Sequence, residues 1–113
     1  MSKFLISFAE GAMSIPEEEI PAVVEAAHAA VEQARAADAW VLGGGLMHHE
    51  LSTVVFPDGT VADGPDPERR SHLAGFGVVD VESLEDALEW AATFAAACRC
   101  VLEVREFVPE PDL

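Results

Sequence analysis

Apolar and polar residues follow one another along this chain in blocks that predict alternating strands and helices. Residues 3–9 are rich in Phe, Leu and Ile and end at Glu10–Gly11, which predicts a first strand and a turn. Apolar residues then recur at helical spacing from Ile20 to about Asp38. The first third of the chain is therefore predicted to be a strand followed by an amphipathic helix.

Two start signals compete at the beginning of this helix. Ser14 and Glu17 have the spacing of a capping box, in which the serine side chain caps the helix and the glutamate side chain accepts the backbone N–H of the serine. Pro21 is suited instead to the first turn of a helix, so the main helix could begin near Ile20. The acidic residues 17–19 would then lie at its positive end. The sequence leaves both starts open.

The middle of the chain predicts an interrupted strand and a hairpin. Residues 39–42 look extended, and the run of glycines at 43–45 is expected to break them with a bend or bulge. Residues 51–56 and 60–62 flank the turn sequence Pro-Asp-Gly, which predicts that they pair as a hairpin.

The last third repeats the strand–helix–strand order. Residues 73–81 form a long apolar run, which predicts a central strand that is covered on both faces. Ser83 is placed to cap a second helix, whose apolar positions run from Leu84 to Cys98. Residues 101–108 predict the final strand, and residues 109–113 an acidic C-terminal tail.

The order of elements predicts an α+β fold of the ferredoxin-like, split βαβ kind with an inserted hairpin. Residues 1–108 are expected to form one domain. A single antiparallel sheet would carry both helices on one face and leave its other face uncovered. Because a second copy of the chain is the simplest cover, we expect a homodimer.

Charge and composition restrict the partners of this domain. The net charge is −15, from 21 acidic and 6 basic residues, which opposes binding to nucleic acid or to an anionic membrane. The apolar stretches are too short to predict a membrane span or a signal peptide, so we expect a cytoplasmic protein. Cys98 and Cys100 are expected to be reduced, partly buried thiols.

Several motifs, taken in order, resemble the DGPF-type branch of the YCII-related family. They are Gly43-Gly44-Gly45-Leu46 with His48 after it, Val61-Ala62-Asp63-Gly64-Pro65, Leu73-Ala74-Gly75-Phe76, Leu84-Glu85-Asp86-Ala87-Leu88-Glu89-Trp90-Ala91 and Val101-Leu102-Glu103-Val104-Arg105. The resemblance implies a ferredoxin-like fold that dimerises through its sheets into an α/β barrel. Members include a few ring-cleavage and dehalogenation enzymes, and DGPF-type members are often encoded near sigma factors.

This chain departs from the family pattern at three positions. Asp66 stands where the family usually has Phe after Gly-Pro, Arg70 matches a usual Lys, and Ala74 replaces a usual Gly. Asp66 would place a charge where an aromatic ring would line the cleft, so the family's substrate preference is not carried over.

Three residues are candidates for acid–base catalysis. Asp63 ends a predicted strand and could be a general base, although a carboxylate at this position also serves as a turn cap. His48 follows the glycine run and could face the same cleft as a proton partner, or be an exposed loop residue. His28 lies at the edge of the first helix's apolar face and matches by position the histidine proposed to act with an aspartate in other family members. A half-buried structural histidine is its alternative.

Arg70 and His49 are candidates for substrate binding, and no metal site or cofactor is predicted. Arg70 could supply a local positive charge for an anionic group, or pair with a neighbouring carboxylate. His48 and His49 would face opposite sides of a strand, which argues against a shared metal ion.

Two functions remain open. The leading one is a small-molecule-binding domain, with cofactor-free general acid–base chemistry as its catalytic form. The alternative is a non-catalytic interaction or regulatory module, linked to a transcription factor.

Overall fold

The computed structural model describes residues 1–109, so residues 110–113 of the predicted tail lie outside the described part. The six strands and two helices are β1 (Ser2–Ala9), α1 (Ile20–Ala36), β2 (Trp40–Gly45), β3 (Thr53–Val55), β4 (Val61–Asp63), β5 (Leu73–Val81), α2 (Leu84–Cys98) and β6 (Glu103–Glu106). Two short 3₁₀ turns, Glu17–Glu19 and His49–Leu51, precede α1 and β3.

The main sheet has four strands in the order β2-β5-β1-β6, and every neighbouring pair is antiparallel. Strands β3 and β4 form a separate antiparallel hairpin. The predicted α+β architecture with its ferredoxin-like order of elements and inserted hairpin is therefore confirmed. The predicted bounds of β5 and its central position in the sheet are also confirmed. The expectation that both faces of β5 are covered is wrong, because the helices pack on one face of the sheet only.

The hydrophobic core lies between the two helices and one face of the sheet. Phe4 and Val79 are cross-strand partners on this face, and both are almost fully buried. Small helix residues let the helices approach the sheet closely. The buried cluster consists of Phe4, Ile6, Ala30, Ala34, Ala39, Val79, Val81, Ala87, Ala91 and Phe94.

The glycine run does not break β2, contrary to the prediction. Gly43 pairs with Gly77 of β5, and Gly45 pairs with Gly75. The Trp40 ring lies over Gly77, where an added Cβ would come within 2.8 Å of its Cζ3 atom. Glycines in β2 and β5 therefore provide space for the tryptophan within a continuous ladder, and the only irregularity precedes them, between Trp40 and Leu42.

The structure rejects one predicted helix cap, at α1, and confirms the other, at α2. Helix α1 begins at Ile20, directly after the acidic 3₁₀ turn, and neither start carries a side-chain cap. The capping box proposed for Ser14 is therefore wrong, and the start favoured by Pro21 is the one observed. At α2 the predicted cap is confirmed, because the Asp86 backbone N–H donates to Ser83 Oγ at 3.1 Å.

The second face of the sheet has no layer of the described chain packed on it. The molecule is thin, with extents of 44 × 42 × 19 Å. Leu42 is 53% exposed on this face, beside the half-buried Leu5 and Phe76. Both cysteines are unpaired and half-buried, and burial raises the pKa of the Cys98 thiol. Among the described helices, none combines the length and the apolar character that crossing a membrane requires.

Candidate functional site

A large cavity lies between α1 and the β2–β5 half of the sheet, and we call it the helix cavity. Its volume is about 690 Å³. It forms there because α1 packs mainly against α2, while β2 carries glycines instead of side chains that would fill the gap. The lining residues are Ile6, Phe8, Met13, Val23, Val24, Ala27, His28, Val31, Glu32, Arg35, Trp40, Gly43, Gly44, Gly45, Phe76, Gly77, Phe94, Cys98 and Leu102.

Polar side chains enter the lining of this cavity chiefly from α1. His28, Glu32 and Arg35 are spaced by four and three residues, so they lie on one side of the helix. Arg35 Nη1 donates to Glu32 Oε1 at 2.5 Å, and both side chains are exposed. Trp40 meets Phe94 edge to face, with 5.7 Å between ring centroids, and forms an aromatic wall. The arrangement combines an apolar interior with one charged rim.

A second constellation, which we call the histidine cluster, consists of Glu10, His48, His49 and His72. His49 Nδ1 lies 2.5 Å from Glu10 Oε1, and the His49 backbone N–H donates to Glu10 Oε2 at 2.8 Å. His48 Nε2 lies 3.5 Å from Glu10 Oε1. The rings of His49 and His72 are stacked and nearly parallel, with centroids 4.0 Å apart.

Local structure brings the neighbouring histidines together. His48 is the N-cap of the 3₁₀ turn that begins at His49, and its Nδ1 accepts the Glu50 backbone N–H at 3.3 Å. The expectation that the two side chains face opposite sides assumed a strand, and this assumption is wrong. In the turn their ring centroids are only 4.3 Å apart. Glu10 follows β1, and its backbone N–H donates to the His72 carbonyl at 2.9 Å.

The electrostatics of the cluster centre on the Glu10 carboxylate. Partial desolvation raises its pKa, but the hydrogen bonds from His49 and the nearby imidazoles of His48 and His49 lower it. The net result is a pKa below the ordinary value of 4.5. The carboxylate is therefore favoured in its charged form, beside two imidazoles.

A cavity of about 570 Å³ lies beside the cluster, between it and the hairpin. It is lined by Leu46, Met47, His48, His49, Leu51, Ser52, Thr53, Val54, Pro65, Asp66, Arg69, His72 and Leu73. We call it the hairpin cavity. Both histidines of the turn and His72 thus adjoin a space that a small molecule can reach.

The structure separates the residues that the sequence grouped together. His48 and His49 lie in the histidine cluster, whereas His28 lines the helix cavity. Asp63 is exposed at the end of β4, paired with Thr53, and lines neither cavity. The expected contact between Asp63 and a histidine is absent among the described residues, and Glu10 is the acidic partner instead. Arg70 is exposed and its neighbour Arg69 lines the hairpin cavity.

Sequence reasoning missed Glu10 and His72. By its local sequence Glu10 belongs only to the predicted turn after β1, and it lies 39 residues from its hydrogen-bond partner His49. His72 immediately precedes β5 and carries no motif. The register of β1 against β5 is the one signal that could have suggested these two residues. Ala9 pairs with Leu73, so Glu10, which follows Ala9, lies close to His72, which precedes Leu73.

A model of the YCII-related domain matches residues 4–110 of the chain. The chain belongs to the YCII-related family. The match begins within β1 and extends beyond β6, so it covers both cavities and the histidine cluster. It confirms the resemblance at the level of the family, while membership of the DGPF-type branch stays a prediction. No curated protein matches the chain.

Proposed function

We propose that this YCII-related domain binds a small molecule with an apolar body in the helix cavity. The observation that carries the proposal is the combination of volume and lining. A cavity of about 690 Å³ falls within the range of roughly 300–1,000 Å³ that is typical of ligand sites. Such sites are mainly apolar with a few converging polar groups, and the helix cavity has this composition.

The sheet side of the cavity supports a flat or compact ligand. Gly45 faces open space, since an added Cβ would meet no atom closer than the Ala74 carbonyl oxygen at 4.0 Å. A ligand can therefore approach the backbone closely at this point. The side chains of Trp40 and Phe94 also line this space, and aromatic rings favour contact with other rings.

The rim of the cavity supports an anionic group on the ligand. The exposed Arg35–Glu32 pair contributes little to stability, about 0–1 kcal/mol as is usual for surface ion pairs. A ligand carboxylate can exchange with Glu32 on the guanidinium at small cost, and it gains charge-assisted hydrogen bonds. We therefore propose a small apolar carboxylic acid as the class of ligand.

The catalytic form of this function depends on His28. Its imidazole lines the cavity and could act there as a general acid or base without a cofactor, which is one of the two histidine roles predicted from the sequence. The roles predicted for Asp63, His48, Arg70 and His49 stay predictions.

The binding proposal is tested with anilinonaphthalene sulfonate, a fluorescent probe with an apolar body and one anionic group. We expect saturable binding that is weakened by Val24→Phe, which fills the cavity, and by Arg35→Gln, which removes its cation. Val55→Phe is the matched control, because Val55 is exposed on β3 and lies outside the cavity lining. Probe binding that is unchanged in both cavity variants, or weakened equally by the control, would contradict the proposal.

A second function, association with another protein chain, is favoured by apolar residues left on the surface. The hairpin exposes Val55, Phe56 and Val61, and the open face of the sheet exposes Leu42. We propose that the partner is a second copy of the chain. The two copies would form a dimer through the open faces of their sheets, and the two sheets together would form a barrel. In this second function the chain would be a non-catalytic interaction or regulatory module. Failure of the probe to bind in the helix cavity would favour this function over small-molecule binding.

A further inference from the structure

Three potential metal ligands converge in the histidine cluster. Glu10, His48 and His49 each offer one ligand atom, and these atoms all lie within 4.8 Å of one another. We propose that they bind one divalent transition-metal ion of the zinc type. The site is separate from the helix cavity, so this inference does not depend on the function proposed above.

The donor types decide which metal ions suit the site. Two imidazole nitrogens and one carboxylate oxygen are a ligand set that catalytic zinc sites use, with a further position left for water. The same set suits other first-row transition ions such as cobalt and nickel. Calcium and magnesium prefer oxygen ligands, so a site with two imidazoles discriminates against them.

The ligands are held in place before any metal arrives. Glu10 is fixed through its backbone N–H to the His72 carbonyl, and its carboxylate receives the His49 backbone N–H. The His49 ring is stacked on His72, with only 3° between the ring planes. Restraints of this kind reduce the entropy that is lost when ligands are ordered around an ion.

Metal binding requires a small rearrangement of the existing contacts. Ligand atoms on a tetrahedral ion, with bonds of about 2.0–2.1 Å, lie roughly 3.3 Å apart. The His48–Glu10 separation of 3.5 Å already fits this geometry, and the 2.5 Å His49–Glu10 contact must open by less than roughly 1 Å. A neutral His49 bound through Nδ1 carries its hydrogen on Nε2. His48 bound through Nε2 carries its hydrogen on Nδ1, so Nδ1 can no longer accept the Glu50 backbone N–H. This N–H is exposed and donates to water instead.

Access and charge also favour a cation here. The His48 side chain is 56% exposed and the Glu10 side chain 20%, so an ion can reach the ligands and keep one or more waters. The net charge of −15 raises the local concentration of cations around the molecule. Both histidines also line the hairpin cavity, so a small molecule in that cavity lies beside the ligands.

The inference is tested by titrating the full chain, without a histidine tag, with zinc chloride in an isothermal calorimeter. We expect one zinc ion per chain. Cobalt in place of zinc should give visible absorption bands that report a low coordination number. His48→Ala, His49→Ala and Glu10→Gln should each weaken zinc binding by at least about tenfold. Glu50→Gln is the matched control, since it removes an exposed carboxylate from the same turn, and it should leave zinc binding unchanged.

Nuclear magnetic resonance of the imidazole signals identifies the histidines that bind zinc, and circular dichroism shows whether a variant that loses zinc binding is still folded. In the wild-type chain, zinc should shift the signals of His48 and His49 and leave those of His28 unchanged. The three ligand variants should keep the wild-type circular dichroism spectrum. Absence of zinc binding by the wild-type chain, or zinc binding that survives all three substitutions, would overturn the inference. Neither result would affect probe binding in the helix cavity.

Discussion

Nδ1 of His49 and Oε1 of Glu10 lie 2.5 Å apart, and this contact joins the 3₁₀ turn before the hairpin to the end of β1. The His49 backbone N–H reinforces it from the same residue, with a 2.8 Å hydrogen bond to Oε2. The two residues thus tie the inserted segment to the main sheet. Stability in acid should depend on this connection.

The first prediction concerns Glu10 and pH. Because the folded state lowers the Glu10 pKa below 4.5, the ionised carboxylate contributes stability that is complete above this ordinary value. That contribution is lost as the pH falls through the lower, folded-state pKa. Glu10→Gln should therefore reduce the free energy of unfolding at pH 7, and its difference from wild type should shrink below about pH 4.5.

Urea unfolding at a series of pH values in metal-free buffer measures this difference. Glu50→Gln is the matched control and is expected to follow the wild-type curve. A Glu10→Gln difference that stays constant or grows as the pH falls would show that the carboxylate is not the group responsible.

The second prediction compares two neighbouring glycines of β2. An added Cβ at Gly43 would lie 2.7 Å from Gly77 Cα and 2.8 Å from Trp40 Cη2, whereas one at Gly44 would meet no atom within 4 Å. Gly43→Ala should therefore lower the free energy of unfolding by about 1–3 kcal/mol. Gly44→Ala should change it by less than about 0.5 kcal/mol. Equal effects in urea unfolding would contradict the packing described around Trp40.

The third prediction concerns the cap of α2. Ser83→Ala removes the acceptor for the Asp86 backbone N–H and should cost about 0.5–2 kcal/mol of unfolding free energy. Ser14→Ala is the control, because Ser14 is exposed and caps neither the 3₁₀ turn nor α1. Thermal unfolding followed by circular dichroism should show a lower Tm for Ser83→Ala alone. A comparable loss in Ser14→Ala would restore the rejected capping box.

The fourth prediction concerns the open face of the sheet. If a second copy covers it, Leu42→Glu should place a charge in the interface and convert the dimer into a monomer. Leu88→Glu makes the same change at an exposed position on α2 and should leave the dimer intact. Light scattering coupled to size-exclusion chromatography measures both masses. A wild-type monomer at micromolar concentration, or a Leu42→Glu dimer, would argue against this face as the interface.

The regular elements could be predicted from the sequence because their causes are local. The apolar run from Leu73 to Val81 fixes a buried strand, and the serine at 83 marks the start of the helix that follows it. The order of these elements was enough to predict the ferredoxin-like α+β fold. The residues most typical of a turn, the three glycines of β2, were misleading because they continue the strand that pairs with β5, and Gly43 is needed there by the Trp40 ring, which also packs over Gly77.

The candidate sites were decided by the tertiary structure. The sequence identified His48 and His49 as chemically important, but only the antiparallel pairing of β1 with β5 brings Glu10 and His72 to them. The same folding leaves Asp63 on the surface and turns His28 toward a cavity between α1 and the sheet. Helices and strands follow from side chains a few residues apart, so the sequence by itself determined them. A site joins residues distant in sequence, and only their packing determines which of them meet.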